Sequence, residues 1–446
     1  MPYFAFLQPI AEWDWLVFLL CLPIVVFISF LLLPLLLIFP ILLLIRRLSV
    51  GRFVPPTVIN GPLMLLLVMT GVSLYATYDV ELSLRKVVGL VYGILLFWSL
   101  VHFMRANVQR VFMIIGLLVA TGWGVLALGL LAGNLQAKVP LLWPLMEMIY
   151  GTYDLLPVAV ERSINPNEIG GALLWVLPMA WILLYGLLTI QLSLPPLQQI
   201  VILGIMTLST FAFTGLLIIT QSRGALLGFA VAMLLVGWLA GTWPRRLVKA
   251  GILSGLILLI LLILLTDVGF VVERLSYLGG FSLNPVGAPD EGIFSLTGRL
   301  EIWARGIYGL QDFPFTGMGM NTFRRIVHVL YPFFTLSPET DIAHAHNHLL
   351  QAGLDLGIPG LVAYLALWIA ITILLVRKWR DSDAGSWERL LVLGSGGSLL
   401  AYFVFGIVDA IALGARPGFI FWILLAISIS VGQLPNIHKD GVHKNF

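Results

Sequence analysis

HAHNHLLQAGLDLGIPGLVAYLALWIAITILLVRKWR, residues 344–380, decides how the rest of the chain is read. From Asn347 to Val376 it is an almost uncharged apolar run, longer than the ~20 residues that carry a helix across the hydrocarbon layer. Arg377, Lys378 and Arg380 close one end, and the alternating His344, His346 and His348 open the other. The stretch reads as a membrane-crossing helix with a basic end and a chemistry-bearing end.

Runs of similar length recur on both sides, at 60–78, 87–103, 111–133, 171–192, 199–221, 224–243, 250–268, 389–408 and 417–432. The first apolar block, 15–45, is too long for one upright crossing, and Pro23, Pro34 and Pro40 offer places to break it into a pair. Composition agrees. The chain of 446 residues is 60% hydrophobic and 11% charged, with a mean hydropathy of +1.01, whereas soluble domains carry about 25% charged residues. The reading is an all-α integral membrane protein, a single polytopic domain over 1–446 with about twelve crossings. A net charge of +3 gives no reason to expect nucleic acid as a partner, and the single cysteine, Cys21, excludes a disulfide framework and a cysteine-based metal site. Residues 1–14 contain no Lys or Arg, a poor start for a cleaved signal peptide.

Basic residues in short loops set orientation. Arg46, Arg47 and Arg52 form one cluster, Arg105 and Arg110 a second, Arg245, Arg246 and Lys249 a third, and Arg377, Lys378 and Arg380 a fourth. With about twelve crossings all four face the cytoplasm, as do both termini. The segments 79–86, 134–170, 269–346 and 409–416 then face outward, and 269–346 is one large extracytoplasmic loop. Within it Thr297 is the expected N-cap of a helix over 298–311, ended by Pro314 and Gly317-Met318-Gly319.

Positive charge on the outer face runs against this bias. Arg223, in Thr220-Gln221-Ser222-Arg223-Gly224, sits at the mouth of a helix pair with almost no loop. A snorkelling arginine on lipid headgroups is the bland account; an anion clamp is the sharper one, because guanidinium binds phosphate in a bidentate fork. Arg299 shares a helix face with Ile302, Trp303 and Gly306, an apolar side suited to lie on the bilayer. The three histidines offer a general base near neutral pH, a metal site, or merely a polar helix start with Asn347 as cap. Arg162, Asp409 and Arg416 share the outer face, and Asp409 is placed to orient a histidine or bind sugar hydroxyls.

At these positions the chain resembles the O-antigen ligase family, which includes related polysaccharide polymerases. The family signature is met by His346-Asn347, nine residues, then Gly357-Ile358-Pro359-Gly360. Thr297-Gly298-Arg299 with Trp303 resembles its Gly-Arg segment, Ser222-Arg223-Gly224 its Ser-Arg-Gly segment, and Asn165-Pro166-Asn167 is a weaker match. The resemblance implies a membrane glycosyltransferase that moves a glycan from undecaprenyl diphosphate to a hydroxyl of a lipid or glycan acceptor, with no cofactor and no metal. Carried over by position, Arg223 and Arg299 hold the diphosphate and His346 positions or deprotonates the acceptor. Trp303, His344, His348, Asn347, Asp409, Arg162 and Arg416 are the surrounding substrate-binding candidates. A polymerase needs the same carrier and leaving group. Outside that chemistry, the alternatives are a bicarbonate or other small-anion transporter and a passive scaffold for polysaccharide assembly.

Overall fold

A computed structural model describes residues 4–27, 32–105, 107–133, 135, 164–190, 194–241, 296–334, 336–337 and 340–434. The described residues are almost entirely helical. After a short 3-10 turn come α1 (Gln8–Glu12), α2 (Asp14–Phe27), α3 (Leu32–Val50), α4 (Asn60–Ala76), α5 (Val80–Met104) and α6 (Val108–Ala132). They are followed by α7 (Pro166–Leu173), α8 (Leu177–Thr189), α9 (Pro196–Thr220) and α10 (Arg223–Ala240). The last group is α11 (Leu296–Asp312), α12 (Phe323–Leu330), α13 (His348–Asp381), α14 (Trp387–Val408) and α15 (Gly418–Gly432). Among the described residues, seven helical stretches are long and apolar enough to cross a membrane, with α7 and α8 counted as one, and α4, α15 and the Trp15–Val25 part of α2 are shorter apolar helices. The expected crossing at 250–268 lies outside the described residues.

Two helices are described in the apolar block 15–45, and neither Pro23 nor Pro40 divides them, whereas Pro34 lies in the first turn of α3, next to residues 28–31, which lie outside the described ones. Pro23 lies inside α2 and Pro40 inside α3, since neighbouring helices in a bundle can satisfy the backbone groups that a proline frees. The Asp14 carboxylate at the start of α2 pairs with Arg46 near the end of α3, and Ser99 of α5 bonds the same carboxylate. That buried pair ties the two helices into an antiparallel hairpin against α5. Around it, one continuous hydrocarbon core links α2–α10 with α13–α15, with Trp98, Trp175 and Trp422 almost fully enclosed.

A second, smaller core lies under the segment 296–347. Ile302, Phe323, Val327, Ile342 and Ala345 pack there against Leu354 of α13. This segment caps one end of the bundle. Met320 N–H donates to Ser73 Oγ at 2.8 Å, Ser83 Oγ donates to the Met320 carbonyl at 2.7 Å, and Asn321 Nδ2 donates to the Leu82 carbonyl at 3.2 Å. The cap is therefore bonded to the ends of α4 and α5. Arg105, Arg110 and Arg377–Arg380 sit at the opposite helix ends.

The Gly357-Ile358-Pro359-Gly360 motif is what joins cap to bundle. Gly357 interrupts α13 with φ +70°, a left-handed conformation that glycine adopts without steric penalty. The interruption frees backbone groups, and the cap takes them: Met318 N–H donates to the Leu354 carbonyl and Ile358 N–H to the Pro314 carbonyl, both at 2.7 Å. A Cβ on Gly357 would lie 2.5 Å from the Phe315 carbonyl oxygen. Glycine is required here by close approach as well as by dihedral angle.

Two local expectations are corrected. The loop helix starts at Leu296, so Thr297 lies in its first turn instead of capping it. The Arg299 face of that helix does not lie toward the bilayer. Ile302 is fully buried, and Gly306 packs against Leu350, because the first turns of α13 supply the apolar surface.

Candidate functional site

Asp409 caps the end of α14 and is 4% exposed. Its Oδ1 lies 3.1 Å from His346 Nδ1 and 3.8 Å from His344 Nε2. Its Oδ2 accepts from Asn167 Nδ2 at 3.0 Å and lies 3.7 Å from Arg299 Nη2. One buried carboxylate thus gathers two histidines, an arginine and an amide from three other parts of the chain.

The hydrogen bonds fix the imidazole tautomers. A carboxylate only accepts, so His346 holds its proton on Nδ1, toward Asp409, and leaves Nε2 as a free lone pair. His346 N–H donates to His344 Nδ1 at 3.2 Å, so His344 carries its proton on Nε2, also toward Asp409. His346 has φ +48°, a left-handed conformation uncommon for a side-chain-bearing residue and typical of strained functional positions. Trp303 Nε1 bonds the His346 carbonyl at 3.4 Å. Asn347 Oδ1 accepts from Leu349 and Leu350 N–H, and its Nδ2 donates to the Ile407 carbonyl. Asn347 is therefore the cap of α13 and a brace to α14.

Electrostatics follow from this packing. Burial by itself would raise the Asp409 carboxyl, but the His346 hydrogen bond and the electrostatic interactions with His346, His344 and Arg299 outweigh it and hold the group below the usual carboxylate range. Burial pushes His344 down to about 3, with His346 acting in the same direction and Asp409 against it. At neutral pH His344 is uncharged. Arg299 Nε is buried with no hydrogen-bond partner among the described residues. A buried guanidinium edge with nothing to donate to is suited to an anion.

The other expected residues are placed as follows. Arg223 is exposed and opens α10; a Cβ on its neighbour Gly224 would lie 2.9 Å from Val408, which puts the Arg223 backbone beside the helix end that carries Asp409. Arg416 is exposed, and its charge faces Glu168. His348 is not gathered with its two neighbours. Its Nδ1 lies 3.0 Å from the Tyr364 hydroxyl, and Trp368, Tyr402 and Phe403 surround the ring. The helical turn that begins at His348 points this ring into the bundle. Arg162 lies outside the described residues.

Three side chains that the sequence reading did not use as site residues stand here. Asn167, in the weaker motif, bonds Asp409. Lys86 faces the charges of Asp355, Arg324 and Glu168, and its charge also reaches His344. It was legible in principle, since Lys86 is another cation in a segment expected to face outward. Asp355 is fully buried in α13, with Oδ1 accepting from Gln351 Nε2 at 2.8 Å.

His344, His346 and Asp409 bring one ligand-type atom each within 4.8 Å of one another. A cation placed there would meet the Arg299 guanidinium on the same carboxylate. The donor set suits a proton relay beside an anion better than a metal.

Residues 208–365 match a family described as O-antigen ligase. This segment is similar to O-antigen ligases. A comparison with curated proteins finds no match. The matched segment contains Arg223, Arg299, Trp303 and the three histidines, whereas Asp409 and Asn167 lie outside it. The carboxylate that gathers Arg299, His344 and His346 comes from beyond the matched range. With its apolar helices, the chain is a membrane protein, and its 208–365 segment is similar to the O-antigen ligase family.

Proposed function

We propose that this protein transfers a glycan from undecaprenyl diphosphate to an acceptor hydroxyl at the outer face of the cytoplasmic membrane, without a metal ion. The reading includes about twelve crossings and places residues 269–346 outside. Its orientation is supported by the basic ends of α5, α6 and α13, which lie opposite the cap and by the positive-inside rule face the cytoplasm.

The observation that carries the reading is the convergence of Arg299 and His346 on Asp409. Glycosyl transfer from a diphosphate needs positive charge where the leaving oxygen becomes negative and a base where the acceptor loses its proton. Arg299, with Arg223 as a second cation, supplies the charge. His346 Nε2 supplies the base, and Asp409 holds the ring in the right tautomer and stabilises the imidazolium that forms, as in other carboxylate–histidine pairs. The acceptor oxygen bonds the anomeric carbon from the face opposite the diphosphate, inverting it. The carbon–oxygen bond to the diphosphate breaks, its electron pair leaves with the phosphate oxygen, and the acceptor proton goes to His346. His344 and Trp303 hold the His346 backbone in its strained conformation.

Purified protein in liposomes, given a radiolabelled carrier-linked oligosaccharide and separate lipid, glycan and protein acceptors, tests this. Arg299→Ala and His346→Ala are each expected to lower transfer by at least about a hundredfold, the scale of losing one charge-stabilising donor, with both variants still folded. Unchanged transfer by both variants, or a wild-type protein that leaves the carrier-linked glycan intact, overturns the proposal.

A further inference from the structure

Away from the polar site, α10, α13 and α14 enclose a cavity of about 670 Å³. Leu235 and Leu239 of α10, Trp368 and Ile369 of α13, and Leu400 and Phe403 of α14 contribute to its walls, which are almost wholly hydrocarbon. It opens sideways. Ile369, Ile373 and Val376 on its α13 side are 59%, 46% and 41% exposed, as expected of a face turned to lipid. The helices that wall it are those whose site ends carry Arg223, His346-Asn347 and Asp409. Phe403 and Trp368 at its upper end touch the His348 ring, two residues from His346.

Its depth constrains what fills it. Along α14 the lining runs from Phe403, five residues before Val408, down to Val392. At ~1.5 Å per residue the floor lies about 24 Å below the end of α14. The hydrocarbon layer is only ~30 Å thick, so the groove passes the midplane toward Arg380. A chain anchored at the site must be longer than one leaflet to fill it. The chemistry proposed above supplies such a chain: the polyisoprenoid tail of the donor.

We infer that this groove seats the tail of the lipid-linked donor and that the protein selects carriers long enough to cross the midplane. The inference rests on the proposed glycosyl transfer. Lipid is as apolar as the groove, so the tail gains little by leaving the bilayer. What it gains is packing contact and alignment, which hold the diphosphate at Arg299 instead of letting it sample the surface.

Gly396 lines the groove, and a Cβ there meets nothing within 4 Å, so the first atom of an added side chain enters open space. Gly396→Phe should raise the KM for a long-tailed donor about tenfold, the scale of one side chain's packing contacts. It should leave unchanged the KM for the same glycan diphosphate on a prenyl tail confined to one leaflet. Gly396→Ala should change neither. Equal effects on both donors, or none, overturn the inference. So does a phospholipid that is retained by the wild type and lost from Gly396→Phe, as seen by native mass spectrometry, while donor kinetics stay the same. A photoactivatable long-chain polyprenyl diphosphate lacking the glycan tests the groove on the wild type alone: crosslinks at Phe403 and Ile369 are expected, and their absence there overturns it. Should the wild type use neither donor, glycosyl transfer itself fails, and the crosslink still decides the groove.

Discussion

Residues of the bundle and residues of the cap reach the same degree of burial by different means. In α15 every position from Ile420 to Val431 is buried, and any apolar side chain of similar volume would serve there, since cores tolerate volume-conserving swaps. In the cap, α11 and α12 bury only a few apolar residues, such as Ile302 and Val327. The cap is held by the Ser73, Ser83 and Asn321 side chains bonding at the ends of α4 and α5, by backbone hydrogen bonds to α13, and by the shared carboxylate of Asp409. The bundle is specified by quantity of hydrocarbon and the cap by a few directional contacts. Single substitutions should therefore hurt the cap far more than the bundle.

Asp409→Asn gives the sharpest break. It keeps the shape at the end of α14 and removes the charge that faces Arg299, His344 and His346. Transfer should fall by about a hundredfold or more, because the histidine loses both its tautomer control and its counter-ion, while thermal unfolding of the bundle in detergent stays near wild type. A variant that keeps normal transfer would show that cap and bundle do not communicate through this carboxylate.

Gly357→Ala is expected to act on the joint itself. A Cβ at φ +70° beside the Phe315 carbonyl strains the backbone by about 1–3 kcal/mol. Amides of 313–320 should then exchange about ten times faster or more, by the usual relation between free energy and an equilibrium constant, with α15 unchanged. Equal acceleration in both regions would erase the proposed distinction.

The smallest expected effect is with pH. His344 is pushed down to about 3 in the folded protein, against ~6.5 when unfolded. Between those values the unfolded chain binds the extra proton, so stability is complete above about 6.5 and declines as the pH falls toward 3. Asp409, held below the usual carboxylate range, adds stability that is present above ~4 and lost as the pH falls further. Hydrogen exchange in 340–347 should rise as the pH drops through this window, after correction for intrinsic rates, more than in α15. Parallel behaviour of the two would count against the cap being the titrating unit.

The same contrast explains what was legible. Apolar run length alone located most crossings, because a helix in lipid must satisfy its own backbone and be long enough to span. The division of 15–45 into two helices was readable from length, but not where they part: Pro23 and Pro40 lie inside helices, where packing tolerates them. Arg299 and His346 were singled out because an arginine in a segment expected to face outward and a histidine–asparagine–glycine spacing are local signals. Asn167 was not, because it joins the site only through Asp409, distant in sequence. The alternation of His344, His346 and His348 did not reveal that the third ring turns into an aromatic cage.

By itself the sequence determined a membrane-embedded helical protein and the types of side chain available for chemistry, since hydropathy and residue identity are properties of short stretches. Only the tertiary structure decided that Asp409 gathers Arg299, His344, His346 and Asn167, and that Gly357 is the joint by which α13 receives the cap. The physical reason is distance along the chain. A buried carboxylate 63 residues from the histidine it orients leaves no periodicity or spacing to read, and its partners become visible only when the helix ends meet.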